Sequence, residues 1–191
     1  LLFTQTNTYG QKKFEIADYA KFVNITDPQI SPNGKSVVIV VSRPDYVNNR
    51  YNAELVLVDV TSGKKRVLTQ ERFVVSSPRW SPNGEQLAFI SKVGQGKEAA
   101  NQIFLLPMQG GEAKQITKAP KGVQHFAWSP NSIDIAYAAL NEPHNKAEIE
   151  KGFTAFEITN NDMFVGSQPQ PSHIWLANTT TSENRRLTDG E

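Results

Sequence analysis

The sequence predicts an all-β chain built from repeated four-stranded units, and three observations support this fold class. A Ser-Pro-Asn turn begins at Ser31, Ser81 and Ser129, so the three turns lie 50 and 48 residues apart. Each turn is followed by short runs rich in β-branched and aromatic residues, which favour strands. Each repeat closes on Leu-Thr or Ile-Thr, and 12 residues separate Thr69 from Ser81 and Thr117 from Ser129. Repeats of about 40 to 50 residues with four short antiparallel strands are typical of β-propeller blades.

A short helix is predicted before the first blade. Ile16, Tyr19, Ala20 and Val23 recur at helical spacing within residues 14–23, which is the pattern of an amphipathic helix. We expect this helix to cover the open edge of the sheet array.

The same signals follow one another in every repeat. The turn has Ser at the first position and Pro at the second, as a type I turn favours. Two apolar strands joined by a hairpin come next, of which the first is interpreted as buried on both faces. A short basic strand then closes the repeat, and its charge suits an exposed sheet edge. The first apolar strands are predicted at 37–41, 87–90 and 135–138, the second at 55–58, 103–106 and 174–177, and the basic strands at 66–69, 114–117 and 185–188.

These signals divide residues 14–191 into three blades of an incomplete propeller, here named blade 1 (about 24–69), blade 2 (about 76–117) and blade 3 (about 123–188). Blade 3 contains an insertion at about 140–171, because Leu68 and Ile116 are 48 residues apart whereas Ile116 and Leu187 are 71 apart. The insertion is charged in its first part and is interpreted as a loop or a frayed helix, followed by an extra strand.

The third turn departs from the repeat. Ser132 stands where the first two turns have Gly34 and Gly84. A side chain is strained at a position that needs positive φ. We therefore expect the third turn to be distorted.

The repeat resembles the propellers of TolB-like proteins and of prolyl oligopeptidase family peptidases, which share the Trp-Ser-Pro-Asn-Gly motif, the apolar strand after it and the closing Leu-Thr. The resemblance covers roughly residues 14–191. Two further segments resemble the acylaminoacyl-peptidase-like members: VNITDPQISP at 23–32 and PSHIWL at 171–176.

The peptidase resemblance implies a non-catalytic propeller segment that gates access of peptide substrates. The gated site would lie in a downstream α/β-hydrolase domain with Ser, Asp and His. The alternative is a TolB-like propeller that binds a protein partner in the cell envelope without enzymatic activity. A third possibility is that three blades self-associate through their open ends.

No catalytic residue is predicted in the chain. An α/β-hydrolase nucleophile requires a G-x-S-x-G elbow, which the sequence lacks. The nearest fragment contains Ser167, which runs into Gln168 and Pro169 instead of a second Gly. Ser167 is therefore interpreted as a loop serine, and the activity of the parent protein would depend on another domain.

No metal or cofactor site is predicted either. His125, His144 and His173 are isolated in sequence and lack the spacing of metal ligands; His173 is expected to hydrogen-bond within its blade. The Gly94-Gln95-Gly96-Lys97 segment lacks the spacing of a phosphate-binding loop and is interpreted as a flexible tip.

The remaining candidate binding residues also receive a structural interpretation. Trp80, Trp128 and Trp175 are expected to pack the blades. Glu148 and Glu150 match no peptide-amine recognition motif of the dipeptidyl peptidase relatives, so that role is not assigned to them.

Composition narrows the classes of partner. The 191 residues include 38% hydrophobic and 20% charged side chains and carry a net charge of +1, so no electrostatic preference for nucleic acid or membranes is expected. The absence of cysteine excludes disulfides and thiolate chemistry. The sequence has no apolar run of the roughly 20 residues that a membrane-spanning helix needs.

The two termini lead to expectations about processing and length. Leu1-Leu2-Phe3 opens a segment at 1–13 that is interpreted as a signal-peptide remnant or a flexible N-terminus, which predicts a periplasmic or secreted protein, with the cytoplasm as the alternative. The 12-residue phase places a further Ser-Pro turn near position 200. Because propellers typically need four to eight blades, we expect the chain to be a segment of a longer protein.

Overall fold

The computed structural model describes residues 13–69, 72, 74–96, 99–142, 146–151 and 171–190. Residues 1–12, to which the signal-peptide interpretation applies, lie outside the described residues, as do 143–145 and 152–170 of the predicted insertion. The strands are β1 Asn24–Ile30, β2 Ser36–Asp45, β3 Arg50–Asp59 and β4 Lys65–Val67 in blade 1; β5 Val75–Trp80, β6 Gln86–Val93, β7 Ala100–Pro107 and β8 Lys114–Gln115 in blade 2; and β9 Val123–Trp128, β10 Asp134–Leu140, β11 Ser172–Asn178 and β12 Asn184–Arg186 in blade 3.

Each predicted blade is one four-stranded antiparallel sheet whose strands are adjacent in chain order. The predicted all-β fold of three four-stranded blades is therefore confirmed. The helices include a 3-10 helix at Ile16–Lys21 and α1 at Lys146–Glu150, which follows β10. Neither of these described helices has the length and apolarity needed to cross a bilayer.

The core consists of two layers, one at each boundary between neighbouring blades. Val38 and Leu55 of blade 1 pack with Leu87 and Phe89 of blade 2. The alternate β6 residues Ala88 and Ile90 pack against blade 3. Because side chains alternate across a strand, a blade with neighbours on both sides needs apolar residues at every position. The prediction of strands buried on both faces is therefore right for β6.

The outer blades differ because only one face of each packs against a described neighbour. In β10, Ile135, Tyr137 and Ala139 are buried, whereas the alternate residues are half-buried. The prediction of burial on both faces is wrong for β10, since a continuous apolar run does not distinguish a central blade from a terminal one.

The basic strands lie at the outer sheet edges, as predicted. All three residues of β4 and of β12 are exposed. Charged side chains there protect the free hydrogen-bonding groups of an edge strand from pairing with another chain.

The 3-10 helix differs from the predicted amphipathic helix. Tyr19 of the helix contacts Phe14 and Phe22, which flank it, and the three ring centroids lie 5.1 to 5.9 Å apart, whereas Ile16 is 89% exposed. Phe22 is the C-cap and has extended backbone, so this aromatic cluster is not a continuous helical face. The helix was predictable, but the face it presents was not, because the 3.6-residue period was assumed.

The third Ser-Pro-Asn turn is not distorted, contrary to expectation. Its backbone N–H of Ser132 donates to Ser129 O at 3.1 Å, as Gly34 donates to Ser31 O and Gly84 to Ser81 O at 2.8 Å. Ser132 adopts the left-handed conformation itself, with φ of 59°. Its hydroxyl accepts a hydrogen bond from the backbone N–H of Asn83 at 3.0 Å. The side chain that strains the turn therefore also joins blade 3 to blade 2.

We predict that Ser132→Ala destabilises the chain more than Ser132→Gly does. Alanine keeps the strained φ and loses the bond from Asn83, at a cost of about 1 kcal/mol. Glycine loses the same bond but relieves strain of about 1 kcal/mol, so its stability should stay within about 0.5 kcal/mol of the unmodified chain. Urea denaturation of both variants measures the difference, and equal losses would contradict this account of the turn.

Candidate functional site at the inner strands

The first strand of each blade lies on the side where the three blades meet. These inner strands, β1, β5 and β9, line a shared cavity of about 490 Å³ at their Ser-Pro ends. Its walls include Gln29 and Ile30 of β1, Arg79 and Trp80 of β5, and Phe126 and Trp128 of β9. The cavity thus combines aromatic surface with one guanidinium group.

All three inner strands carry a bulge: in β9 the pairing with β10 shifts between Ala138 and Ala139, and in β1 and β5 the bulge lies just before this cavity. The pairing of β1 with β2 shifts between Thr26 and Gln29, and that of β5 with β6 shifts between Ser76 and Arg79. The bulged residues Asp27 and Ser77 occupy the same repeat position and have φ of 48° and 53°. Bulges redirect side chains and are frequent next to functional sites. Here they direct polar groups of neighbouring blades towards one another.

The result is an ion pair between the inner strands of blades 1 and 2. Arg79 Nη1 donates to Asp27 Oδ1 at 2.9 Å and to Oδ2 at 3.0 Å. Gln29 Nε2 donates to the same carboxylate at 2.8 Å. The Arg79 side chain is 41% exposed, so the pair contributes little to stability. Because the pair fixes the positions of the Arg79 guanidinium and the Asp27 carboxylate, either group could bind an oppositely charged group of a ligand.

The repeat tryptophans join consecutive blades. Trp80 Nε1 donates to Gln29 O at 3.0 Å, and Trp128 Nε1 donates to Arg79 O at 3.0 Å. Gln29 and Arg79 occupy the same repeat position, so each indole binds the equivalent carbonyl of the preceding blade. The predicted packing role of Trp80 and Trp128 agrees with this geometry, which holds the inner strands at a fixed separation.

We predict that Trp80→Phe lowers the free energy of unfolding by about 1 to 2 kcal/mol, because phenylalanine packs similarly but leaves Gln29 O without its donor. The matched control is Ile30→Ala, since Ile30 holds the same repeat position in blade 1 and is 63% exposed. That change should cost less than about 0.5 kcal/mol. Chemical denaturation compares the two, and a greater loss at Ile30 would contradict the proposed tie.

His125 and His173, the two histidines that the structure describes, lie on β9 and β11 and are separated by β10. His125 is exposed on β9, at the repeat position of Asp27 and Ser77. His173 is buried, and its Nε2 and Nδ1 lie 3.0 and 3.2 Å from Arg186 Nη2. Its Nδ1 lies 3.4 Å from Thr188 Oγ1, so the expected contacts within the blade are present. His144 lies outside the described residues.

The other candidate residues fall partly outside the described structure. Ser167 lies outside it, as do the side chains of Glu148 and Glu150 in α1. Gly94, Gln95 and Gly96 form an exposed loop, while Lys97 lies outside the described residues. Within the described ranges, no group of three His, Cys, Asp or Glu residues is placed to hold a metal ion.

Sequence reasoning missed Asp27 and Arg79. Both lie in the short segment before a Ser-Pro turn, where 27–30 and 77–80 share the pattern x-Pro-x-apolar. That shared proline was a usable signal, because proline in a strand is confined to edges and bulges. The pairing of the two side chains required the blades to be placed in space.

Comparison with known proteins finds sequence similarity to peptidases. No family model matches the chain. It is 32% identical over 118 residues to the "Uncharacterized peptidase YuxL" of Bacillus subtilis (strain 168), a match that covers 62% of this chain and 18% of that protein. It is 28% identical over 119 residues to "Dipeptidyl-peptidase 5" of Porphyromonas endodontalis, covering 62% and 17%. The chain thus matches less than a fifth of the length of these relatives.

Solved structures decide the fold. The acylaminoacyl peptidase of Pyrococcus horikoshii matches with a TM-score of 0.69 and 19% identity over 92% of this chain and 26% of that one. The β-propeller domain of the Trilobed protease from Pyrococcus furiosus matches with a TM-score of 0.60 and 19% identity, covering 88% and 44%. The chain has a β-propeller fold.

The match to a TolB protein is weaker, and it bears on the alternative of a TolB-like binding protein. The propeller matches the putative TolB of Agrobacterium tumefaciens with a TM-score of 0.52 and 17% identity, covering 85% of this chain and 50% of that one. The predicted resemblance to the propeller of a prolyl oligopeptidase family peptidase is confirmed by these comparisons, whereas the TolB-like resemblance receives weaker support.

Proposed function

We propose that this chain is a non-catalytic propeller segment of a serine peptidase of the prolyl oligopeptidase family. In this proposal it limits which peptides reach an α/β-hydrolase domain elsewhere in the same polypeptide. The observation that carries this proposal is the 32% identity over 118 residues to a peptidase, in a chain whose described strands form propeller blades.

Two structural features support a gating role. The inner strands meet at a cavity that offers aromatic surface and the Arg79 guanidinium, which is held by Asp27, and this combination suits contact with a peptide. The indole bonds of Trp80 and Trp128 hold neighbouring blades together. A rigid array excludes folded substrates by size, so selectivity would arise from dimensions rather than from chemistry.

The first test of this proposal is the reading frame beyond Glu191. A G-x-S-x-G elbow followed by Asp and His is expected. Further blades followed by a stop codon would instead support the TolB-like binding protein. The purified 191-residue chain should show no hydrolysis of short chromogenic peptides, and turnover by this chain would overturn its non-catalytic assignment.

The gating step needs its own experiment in the longer protein. Trp128→Phe should loosen the boundary between blades 2 and 3 and increase the rate of cleavage of long peptides, while the rate for dipeptide substrates stays unchanged. Val67→Ala, on the outer edge strand β4 and away from the cavity, serves as the control at an exposed position. Equal changes for long and short substrates would show that the propeller does not select by size.

A further inference from the structure

The boundary between blades 1 and 2 contains a cation held over an aromatic pair. The rings of Phe89 and Phe104 are stacked with their centroids 5.8 Å apart. The guanidinium carbon of Arg72 lies 4.1 Å from the centroid of Phe104 and 5.8 Å from that of Phe89. Arg72 Nη1 also donates to Ser91 Oγ at 3.5 Å. A guanidinium group over an aromatic face is a favourable cation–π arrangement.

The boundary between blades 2 and 3 repeats the aromatic pair. Aligning the Ser-Pro turns places Tyr137 at the position of Phe89, and aligning the second apolar strands places Trp175 at that of Phe104. Their rings are again stacked, with centroids 6.3 Å apart and planes inclined by 17°. The aromatic platform is therefore conserved between the two boundaries of this chain.

The cation is not repeated. Pro120 stands at the position of Arg72, and Ala139 stands at that of Ser91. Both residues line a cavity of about 390 Å³ together with Tyr137 and Trp175. The equivalents of all three residues that Arg72 contacts thus border this cavity. Its place in the fold corresponds to that of the Arg72 guanidinium in the preceding boundary.

Polar groups at this cavity also correspond to those near Arg72. Ser182 Oγ is buried there and has no hydrogen-bond partner among the residues that the structure describes. Glu183 follows it in sequence, borders the neighbouring cavity and occupies the repeat position of Glu112. Burial lowers the pKa of the Arg72 guanidinium, and the charge of Glu112 raises it. The Tyr137 hydroxyl already donates to Asn184 Oδ1 at 2.9 Å, and burial raises its pKa to about 12. The tyrosine is therefore neutral at physiological pH.

We propose that this cavity between blades 2 and 3 binds the guanidinium group of an arginine side chain from a peptide. The faces of Trp175 and Tyr137 contact the planar cation, and Ser182 Oγ accepts one of its hydrogen bonds. The Glu183 carboxylate, which borders the neighbouring cavity, attracts the cation at longer range, as Glu112 does Arg72. Lys118 also lines the cavity and is exposed, so its ammonium group opposes binding. The cavity would bind such a side chain whether or not the chain belongs to a peptidase.

The test is a titration of the whole chain with N-acetylarginine amide, followed through the indole N–H signals in nuclear magnetic resonance spectra. The Trp175 signal should shift with saturation. The signals of Trp80 and Trp128 should stay in place, because those indoles are bonded to Gln29 O and Arg79 O. N-acetylcitrulline amide has nearly the same shape without the charge and should bind at least about fivefold more weakly.

Three variants assign the effect to this cavity. Glu183→Gln should weaken binding of the arginine probe about threefold, and Lys118→Gln should strengthen it about twofold, because each changes one charge near the site. Pro120→Arg should abolish binding by supplying the guanidinium from the chain itself, as Arg72 does in the preceding boundary. Glu112→Gln is the matched control and should leave the affinity unchanged.

Several outcomes would overturn the proposal. In the titration, these are equal affinity for the citrulline and arginine probes, shifts of the Trp80 or Trp128 indole signal in place of Trp175, and a shift that rises linearly without saturation. Among the variants, it is an equal effect of Glu183→Gln and Glu112→Gln on the affinity for the arginine probe. Near-ultraviolet circular dichroism of each variant verifies that its aromatic packing is retained.

Discussion

Replacing Gly122 by alanine should destabilise the chain by about 3 kcal/mol. Gly122 precedes β9, where the chain passes from blade 2 to blade 3, and has φ of +82°. A Cβ atom there would lie 2.8 Å from the backbone N of Asn101 and 3.3 Å from its O. The backbone of β7 cannot yield as a flexible side chain does, so steric overlap adds to the strain of the left-handed conformation.

Gly63→Ala is the matched control for this prediction. Gly63 has a similar φ of +67°, but nothing lies within 4 Å of the position that its Cβ would take. Its replacement should therefore cost only the conformational term of about 1 kcal/mol. Urea denaturation followed by circular dichroism gives both values. Equal losses of unfolding free energy in the two variants would show that the close approach of Gly122 to β7 does not affect stability.

The fold was predictable because the signals that specify it are local and repeated. The Ser-Pro-Asn turn is closed by the same i to i+3 bond in all three copies, and its residue types are those that a type I turn favours. The same holds for the closing Leu-Thr, which marks the end of each blade. These residues act within their own repeat, so their positions in sequence were enough to place the strands.

The site was less predictable because its contacts join different repeats. Asp27 and Arg79 are 52 residues apart, and Asn101 of β7 is approached by Gly122 of the connection between blades 2 and 3. Arg72 and Pro120 occupy equivalent positions in sequence, but the contacts that each one makes depend on the side chains that the next blade presents. Such contacts become visible only when neighbouring blades are packed face to face.

The closing threonine of each blade recurs in the sequence, and the structure shows the hydrogen bond that explains this recurrence. The hydroxyls of Thr69, Thr117 and Thr188 accept hydrogen bonds from the backbone N–H groups of Leu55, Ile103 and Ile174 at 2.9, 2.9 and 3.0 Å. Each side chain takes the role of a carbonyl in the sheet ladder after the basic strand ends. A buried backbone N–H requires such a partner, which explains the recurrence of threonine.

Thr117→Val should therefore lower the free energy of unfolding by about 2 to 3 kcal/mol, although valine has nearly the same shape. Thr117 is fully buried, so Ile103 N would lose its acceptor where water cannot replace it. Thr117 Oγ1 also donates to Gln102 Oε1 at 2.8 Å, and that oxygen accepts from Ala119 N at 3.0 Å. The substitution would thus weaken a second buried group.

Two comparisons separate this hydrogen bond from general packing. Thr188→Val removes the equivalent bond in blade 3, but Thr188 is exposed, so water can satisfy Ile174 N and the loss should stay below about 1 kcal/mol. Thr117→Ser keeps the hydroxyl and removes one methyl group, which should cost about 1 kcal/mol. If serine destabilised the chain as much as valine, the methyl contact rather than the hydroxyl would explain the repeated threonine. Denaturation midpoints of the three variants, measured under one set of conditions, decide between these causes.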